Sequence, residues 1–122
     1  MIKNLFAACL LVDDFDRSFN FYKNTLGLTV KSQDGKFADF EFGNTSIAIF
    51  EKSGATAMFP VKYMGKGGGV VLAVQVDDFD KVVEELKSKE VEIFEGPKTT
   101  EWGQTVFYFQ DPDKNIWEVS KK

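Results

Sequence analysis

The sequence predicts an α+β fold: two tandem βαβββ units that join into a cupped, half-open mixed β-sheet with the helices on its outer face. Three observations predict it. The pentapeptide Val-Asp-Asp-Phe-Asp occurs twice, at 12–16 and 76–80, 64 residues apart in a chain of 122. Each copy follows an apolar run, at 6–11 and 70–74, and precedes a stretch with helical spacing. Three short strand-like runs then follow each helix. Self-similarity of this kind marks one supersecondary unit used twice. A sheet with a helix on one face must bury its other face against something, so paired units are expected to enclose a cavity between their inner faces.

The first unit is expected over 1–52. Residues 3–12 read as a buried strand ending at Asp13-Asp14. Asp14 suits a helix N-cap, because its carboxylate can accept from the free amides of the first turn. Phe15, Phe19, Tyr22 and Leu26 then recur at the spacing of one helix face, and Gly27 ends the helix as its C′ glycine. Strands follow at 28–33, 37–42 and 45–51. The pairs Asp34-Gly35 and Gly43-Asn44 supply the hairpin turns between them.

Residues 53–69 are set down as a linker: Gly54, Pro60, Gly65 and Gly67-Gly68-Gly69 interrupt any period. Met58, Phe59, Tyr63 and Met64 are bulky for an exposed linker, so the segment is either pinned to the surface by them or forms a flap over a pocket. The second unit, 70–122, repeats the pattern. A strand at 70–76 leads to Asp78 as cap and a helix with Phe79, Val82, Val83 and Leu86 inward. Strands are expected at 91–94, 105–110 and 116–120. Gly96-Pro97 and Trp102-Gly103 break the first two, and 111–115 forms a turn before the last. All of 1–122 is read as a single domain.

Composition narrows the chemistry. With 43% hydrophobic and 28% charged residues the chain is an ordinary globular one. Thirteen Phe, three Tyr and two Trp furnish either an aromatic core or the walls of a ligand cavity. A net charge of −4 and no basic run longer than Lys121-Lys122 argue against nucleic acid, which needs a positive surface to displace counterions. No apolar stretch approaches the ~20 residues of a membrane span, and the N-terminus lacks the pattern of an export signal. The lone Cys9 cannot form an intramolecular disulfide, in keeping with a reducing compartment; the expected location is the cytoplasm. Histidine is absent, which removes imidazole metal ligands, a histidine base and Ser/His or Cys/His nucleophile pairs.

The stretches at 14–27 (Asp-Phe-Asp-Arg-Ser-Phe-Asn-Phe-Tyr-Lys-Asn-Thr-Leu-Gly) and 111–118 (Asp-Pro-Asp-Lys-Asn-Ile-Trp-Glu) resemble the two signatures of the vicinal oxygen chelate superfamily. That group holds glyoxalase I, extradiol dioxygenases, fosfomycin-resistance proteins and bleomycin-resistance binding proteins. The resemblance spans 3–119. In metal-dependent members it implies one ligand from the first strand and one from the last strand of each half. Those places fall here on Ala7, Ala48, Val71 and Glu118, and three of the four are aliphatic. One carboxylate does not make a catalytic metal site, so no metal and no cofactor are expected. The resemblance then points to the bleomycin-resistance branch: homodimers that sequester an aromatic or cationic molecule, such as an antibiotic, without reacting with it.

Alternation along the strands then turns Ala7, Cys9 and Leu11, then Ser46, Ala48 and Phe50, then Val71, Ala73 and Gln75 toward the cavity. The expected ligand-binding residues are Cys9, Phe50, Phe59, Tyr63, Trp102 and Glu118, with Trp102 as stacking platform and Phe59 and Tyr63 as the facing wall. Glu118 is either a relic bonded to a hydroxyl such as that of Ser46, or an acceptor or general base on the cavity floor. Trp117 alternates outward, into the core under the second helix. The rival to sequestration is a lyase, isomerase or dioxygenase-like enzyme using Glu118 as base; a third reading is a protein–protein module with a filled cavity.

Overall fold

The computed structural model describes every residue, Met1–Lys122. The chain forms two compact units, Met1–Lys66 and Gly67–Lys122. In the first, β1 (Ala8–Val12), α1 (Phe15–Asn20), β2 (Val30–Asp34), β3 (Phe37–Phe42) and β4 (Thr45–Glu51) follow one another. After the short helix α2 (Lys52–Ala55), the second unit holds β5 (Val71–Val76), α3 (Phe79–Ser88), β6 (Ile93–Thr99), β7 (Thr105–Gln110) and β8 (Ile116–Lys121). Strand order is β1-β4-β3-β2 in one sheet and β5-β8-β7-β6 in the other. The first strand pairs parallel with the last in each, and the remaining pairs are antiparallel. This is the repeated βαβββ unit that the sequence predicts. No helix is long and apolar enough to cross a membrane.

Each sheet buries one face under its helix. Leu10, Val12, Ala38, Phe40, Ile47 and Ile49 meet Phe15 and Tyr22 in the first unit; Phe107, Phe109, Trp117 and Val119 meet Phe79, Val83 and Leu86 in the second. Each large apolar side chain removed from water in this way contributes about 1.5–3 kcal/mol. Trp117 lies where alternation puts it, buried and stacked on Phe109 with ring centroids 6.1 Å apart. Asp14 and Asp78 cap α1 and α3 by accepting from the amides of Arg17 and Lys81, at 3.1 and 3.2 Å.

Three elements depart from the expectation. β1 is shorter than 3–12: its ladder with β4 starts only at Ala8, opposite Ile47. The Thr45 hydroxyl, not a ladder, meets the carbonyls of Leu5 and Phe6, both at 3.0 Å. The first helix changes winding after Asn20 into one π-helical turn, Phe21–Thr25, with Leu26 N–H donating to Phe21 O at 2.9 Å. That brings Phe15, Ser18 and Tyr22 inward and leaves Phe19 and Leu26 half-buried. β6 runs through Gly96-Pro97 because its register slips on both sides of Glu95, and such irregularities are where a strand tolerates glycine and proline.

The segment 53–69 is also more built than a linker. It holds part of α2 and a 3₁₀ turn at Val61–Tyr63, and it buries Ala55 and Met64. Its last three glycines belong to the second unit, and Gly67 and Gly68 lie against the 111–115 turn. A Cβ on Gly67 would stand 2.6 Å from the Asp113 carbonyl oxygen, so close approach, not looseness, selects glycine there. The turn itself is held by Asp111, whose carboxylate accepts from the amides of Asp113 (3.0 Å) and Asn115 (2.8 Å) and from Asn115 Nδ2 (3.1 Å).

Candidate functional site

The sheet face away from each helix carries the chemistry. On the first unit Cys9 pairs with Ala48, and Ala48 with Asp39. On the second Ala73 pairs with Glu118, and Glu118 with Tyr108. Cys9 and Ala73 are 64 residues apart, the repeat offset, so the register makes Ala48 and Glu118 equivalent places and Asp39 the counterpart of Tyr108. The faces differ in content. Asp39 accepts from the Ser32 hydroxyl at 2.5 Å. Glu118 is half-buried and its carboxylate forms no hydrogen bond or ion pair. Tyr108 is half-buried beside Phe94, 6.1 Å between centroids, with the Lys98 ammonium 5.8 Å from its ring centre and held by Glu95 at 3.2 Å.

The residues singled out from the sequence fall on both units. Cys9 is exposed on the first, and Phe50 shares its sheet face, edge-on to Phe37 at 5.5 Å. Partial burial of the Cys9 sulfur disfavours the thiolate and pushes the thiol up from its ordinary value, although the residue as a whole is exposed. Phe59 is half-buried; Tyr63 is 69% exposed with Lys62 over its ring at 5.1 Å. Trp102 is 76% exposed on the second unit. It lines a shallow pocket of 410 Å³ with Gly103, Gln104, Thr105, Lys121 and Lys122, and Glu118 is not among the lining residues. The two lysines give that pocket a positive rim. Ser46, a sequence-level partner for Glu118, accepts instead from Lys31 at 2.6 Å. Tyr108 and Lys31 escaped the sequence reading, because both matter only through cross-strand pairing, which no local pattern reports.

Residues 5–122 match the family described as Glyoxalase-like domain. The chain is 31% identical over 119 residues to Uncharacterized protein YraH of Bacillus subtilis, covering 92% of this chain and 93% of that protein. Among solved structures it resembles a glyoxalase/bleomycin resistance protein/dioxygenase from Nocardioides, with TM-score 0.86 and 25% identity over 99% of this chain and 84% of that one. It also shares its fold with a lactoylglutathione lyase from Agrobacterium tumefaciens, with TM-score 0.81 and 19% identity over 99% and 95% of the two chains.

The chain belongs to the glyoxalase-like family.

Metal-dependent glyoxalase-like proteins draw ligands from the sheet faces just described, and this chain's residues do not fit that role. No three Asp, Glu or Cys side chains converge anywhere in it. The ladder sets Glu118 between Ala73 and Tyr108, and sets Ala48 between Cys9 and Asp39. A lone carboxylate beside a phenol, or a lone thiol beside an alanine, falls short of the three protein ligands of a catalytic zinc site and of an oxygen-rich shell. What the second unit offers is a free acceptor, Glu118, flanked by an aromatic hydroxyl and small side chains.

Proposed function

We propose that this glyoxalase-like protein is a metal-independent small-molecule-binding protein that sequesters an aromatic or cationic ligand, an antibiotic of the bleomycin type being one such molecule. The observation that carries the reading is the equivalence of Ala48 and Glu118: one place has no donor at all, and the other has a single unpaired carboxylate on an aromatic-flanked face. An unpaired carboxylate beside Tyr108 suits a cationic group, which gains charge pairing and ring contact together. Trp102, at its separate pocket, supplies a stacking surface for an aromatic portion. The same reading takes the working form as a homodimer: Phe6, 89% exposed, and Val71, 57% exposed, leave apolar surface for a second copy to cover.

The test is a thermal-shift screen of chelator-treated protein against bleomycin-type glycopeptides, other aromatic antibiotics and divalent metals. A ligand at ~100 times its dissociation constant adds ~2.7 kcal/mol and raises the midpoint by a few degrees. The expected result is a shift with an aromatic antibiotic and none with Ni²⁺, Zn²⁺ or Mn²⁺; metal stabilisation alone would overturn the proposal. With a ligand found, Trp102→Ala is expected to weaken binding by ~1–3 kcal/mol, and unchanged affinity removes Trp102 from the site.

One observation favours a second reading. Glu118 is half-buried without a partner, and its cross-strand neighbour Tyr108 bears an ionisable hydroxyl. Such a pair can serve as base and proton donor on a small carbonyl compound. Glu118→Gln would then abolish turnover with the fold intact, and surviving turnover would dismiss the enzyme.

A further inference from the structure

The first unit carries a cleft of its own. With a volume of 980 Å³, it opens between the irregular segment 4–6 that precedes β1 and the sheet, lined by Phe6, Leu28, Lys31, Glu41, Thr45 and Ser46 among others. Lys31, on β2, donates to the Ser46 hydroxyl on β4 at 2.6 Å. In the strand order β3 lies between them, so the lysine chain crosses it to get there. Ser46 is only 3% exposed, and a buried hydroxyl is a fixed anchor. It holds an otherwise mobile ammonium in one place. An ammonium has three donors, and Ser46 uses one.

Glu41 sits directly across from Ser46 in the β3–β4 register, on the same face and in the same cleft. Its carboxylate forms no hydrogen bond or ion pair, and Lys31 forms no ion pair with any carboxylate. Opposite charges lining one cleft ordinarily pair with each other. Here the lysine is engaged by a neutral hydroxyl and the glutamate is left free, so both charges face the cleft uncompensated. Leu5, Phe6 and Leu28 supply an apolar wall beside them.

We propose that this cleft binds a small zwitterion with a short apolar side, of the α-amino acid class, its carboxylate on Lys31 and its ammonium on Glu41. A ligand with one charge satisfies only one of the two groups. A zwitterion satisfies both and leaves no charge unpaired. The apolar wall then favours a branched aliphatic side chain over a polar one.

The experiment is titration calorimetry of the full chain with three matched probes: L-leucine, 4-methylpentanoate and isopentylamine. Leucine is expected to bind about tenfold or more tighter than either single-charge probe, the scale of one charged hydrogen bond. Lys31→Met should bring leucine down toward isopentylamine, and Glu41→Gln should bring it down toward 4-methylpentanoate. Ser46→Ala, which frees the lysine, should weaken leucine and 4-methylpentanoate and leave isopentylamine unchanged. Lys31 and Glu41 are both exposed, so their variants are expected to melt as the parent does. Leucine binding no tighter than the single-charge probes, or indifferent to both charge variants, would overturn the proposal, as would no binding of leucine at all.

Discussion

The two units fill the same core from opposite layers. In the first, the helix brings the rings, Phe19 and Tyr22, and the sheet beneath is small at Ala38 and aliphatic at Ile47. In the second, the equivalent helix positions are Val83 and Leu86, and the sheet carries the rings, at Phe107 and Trp117. Register makes the correspondence strict: Ala38 pairs with Ile49 as Phe107 pairs with Val119, and Phe40 with Ile47 as Phe109 with Trp117. Phe15 and Phe79 at the helix starts, and Phe40 and Phe109 in the sheets, remain alike across the repeat. Repeated backbones thus demand a certain filled volume, and the sequence is free to supply it from either side.

The largest effect expected from this comparison comes from copying one unit's residue into the other. Phe107→Ala imitates Ala38 without the helix rings, Phe19 and Tyr22, that the first unit supplies. It should cost about 3–5 kcal/mol, the range for a buried phenylalanine. Ala38→Phe should cost about 1–3 kcal/mol by overpacking the buried layer that Ala38 and Tyr22 share, and Tyr22→Leu in the same chain should recover part of that. Urea denaturation gives all of these values. If Phe107→Ala costs under about 1 kcal/mol, or if Tyr22→Leu adds to the Ala38→Phe loss, the layers do not compensate each other as described.

This exchange of volume explains what was legible beforehand. The repeat, the element order and the alternation of Leu10, Val12 and Trp117 into the core follow from short-range patterns, and they match the structure. Helix winding after Asn20 and the bulged path of β6 through Gly96-Pro97 depend on packing against other strands, which local periodicity does not encode. The same limit governs the sites. Glu118 was visible because it ends a signature motif; Tyr108 and Lys31 gain meaning only from the register that sets one beside Glu118 and lets the other reach Ser46. Gly67 and Gly68 show the limit in another way: sequence alone marks them as breaks in periodicity, whereas their lack of a side chain is what lets them lie close to the 111–115 turn.

That turn gives the next expected effect, and it belongs to the second unit alone. Gly67 has φ +82° and no room for a Cβ, so Gly67→Ala combines backbone strain with a clash against the Asp113 carbonyl. About 1–3 kcal/mol should be lost. Gly35, with φ +58° and nothing near its Cβ position, is the control in the first unit: alanine there meets strain without a clash and should cost less. Equal losses at the two sites would mean that close packing on the 111–115 turn contributes nothing.

The smallest effect separates the units by pH. In the first, Glu51 at the end of β4 accepts from the Ser53 hydroxyl at 2.6 Å and from the Phe15 amide at 2.9 Å, tying the sheet to the start of α1. Those two bonds hold its carboxyl below the usual carboxylate range. Asp13 is held down likewise by Lys52, at 2.8 Å. In the second unit Asp78 caps α3 without such support, the nearest analogue being an exposed Lys122–Asp77 pair at 3.7 Å. Since folding lowers both carboxyls in the first unit, their ionised forms favour the folded state. Their contribution is complete above the unfolded carboxylate value, about pH 4, and is lost as pH falls through the depressed folded values. Amide exchange followed from pH 7 down to about 3 should therefore show protection in α1 declining with acid more steeply than in α3. Glu51→Gln keeps the shape and removes the charge, so it should flatten the α1 profile while α3 is unaffected. Parallel decline in the two helices, or an α1 profile that Glu51→Gln leaves unchanged, would show that the carboxylate does not secure the helix start and that the repeats meet acid alike.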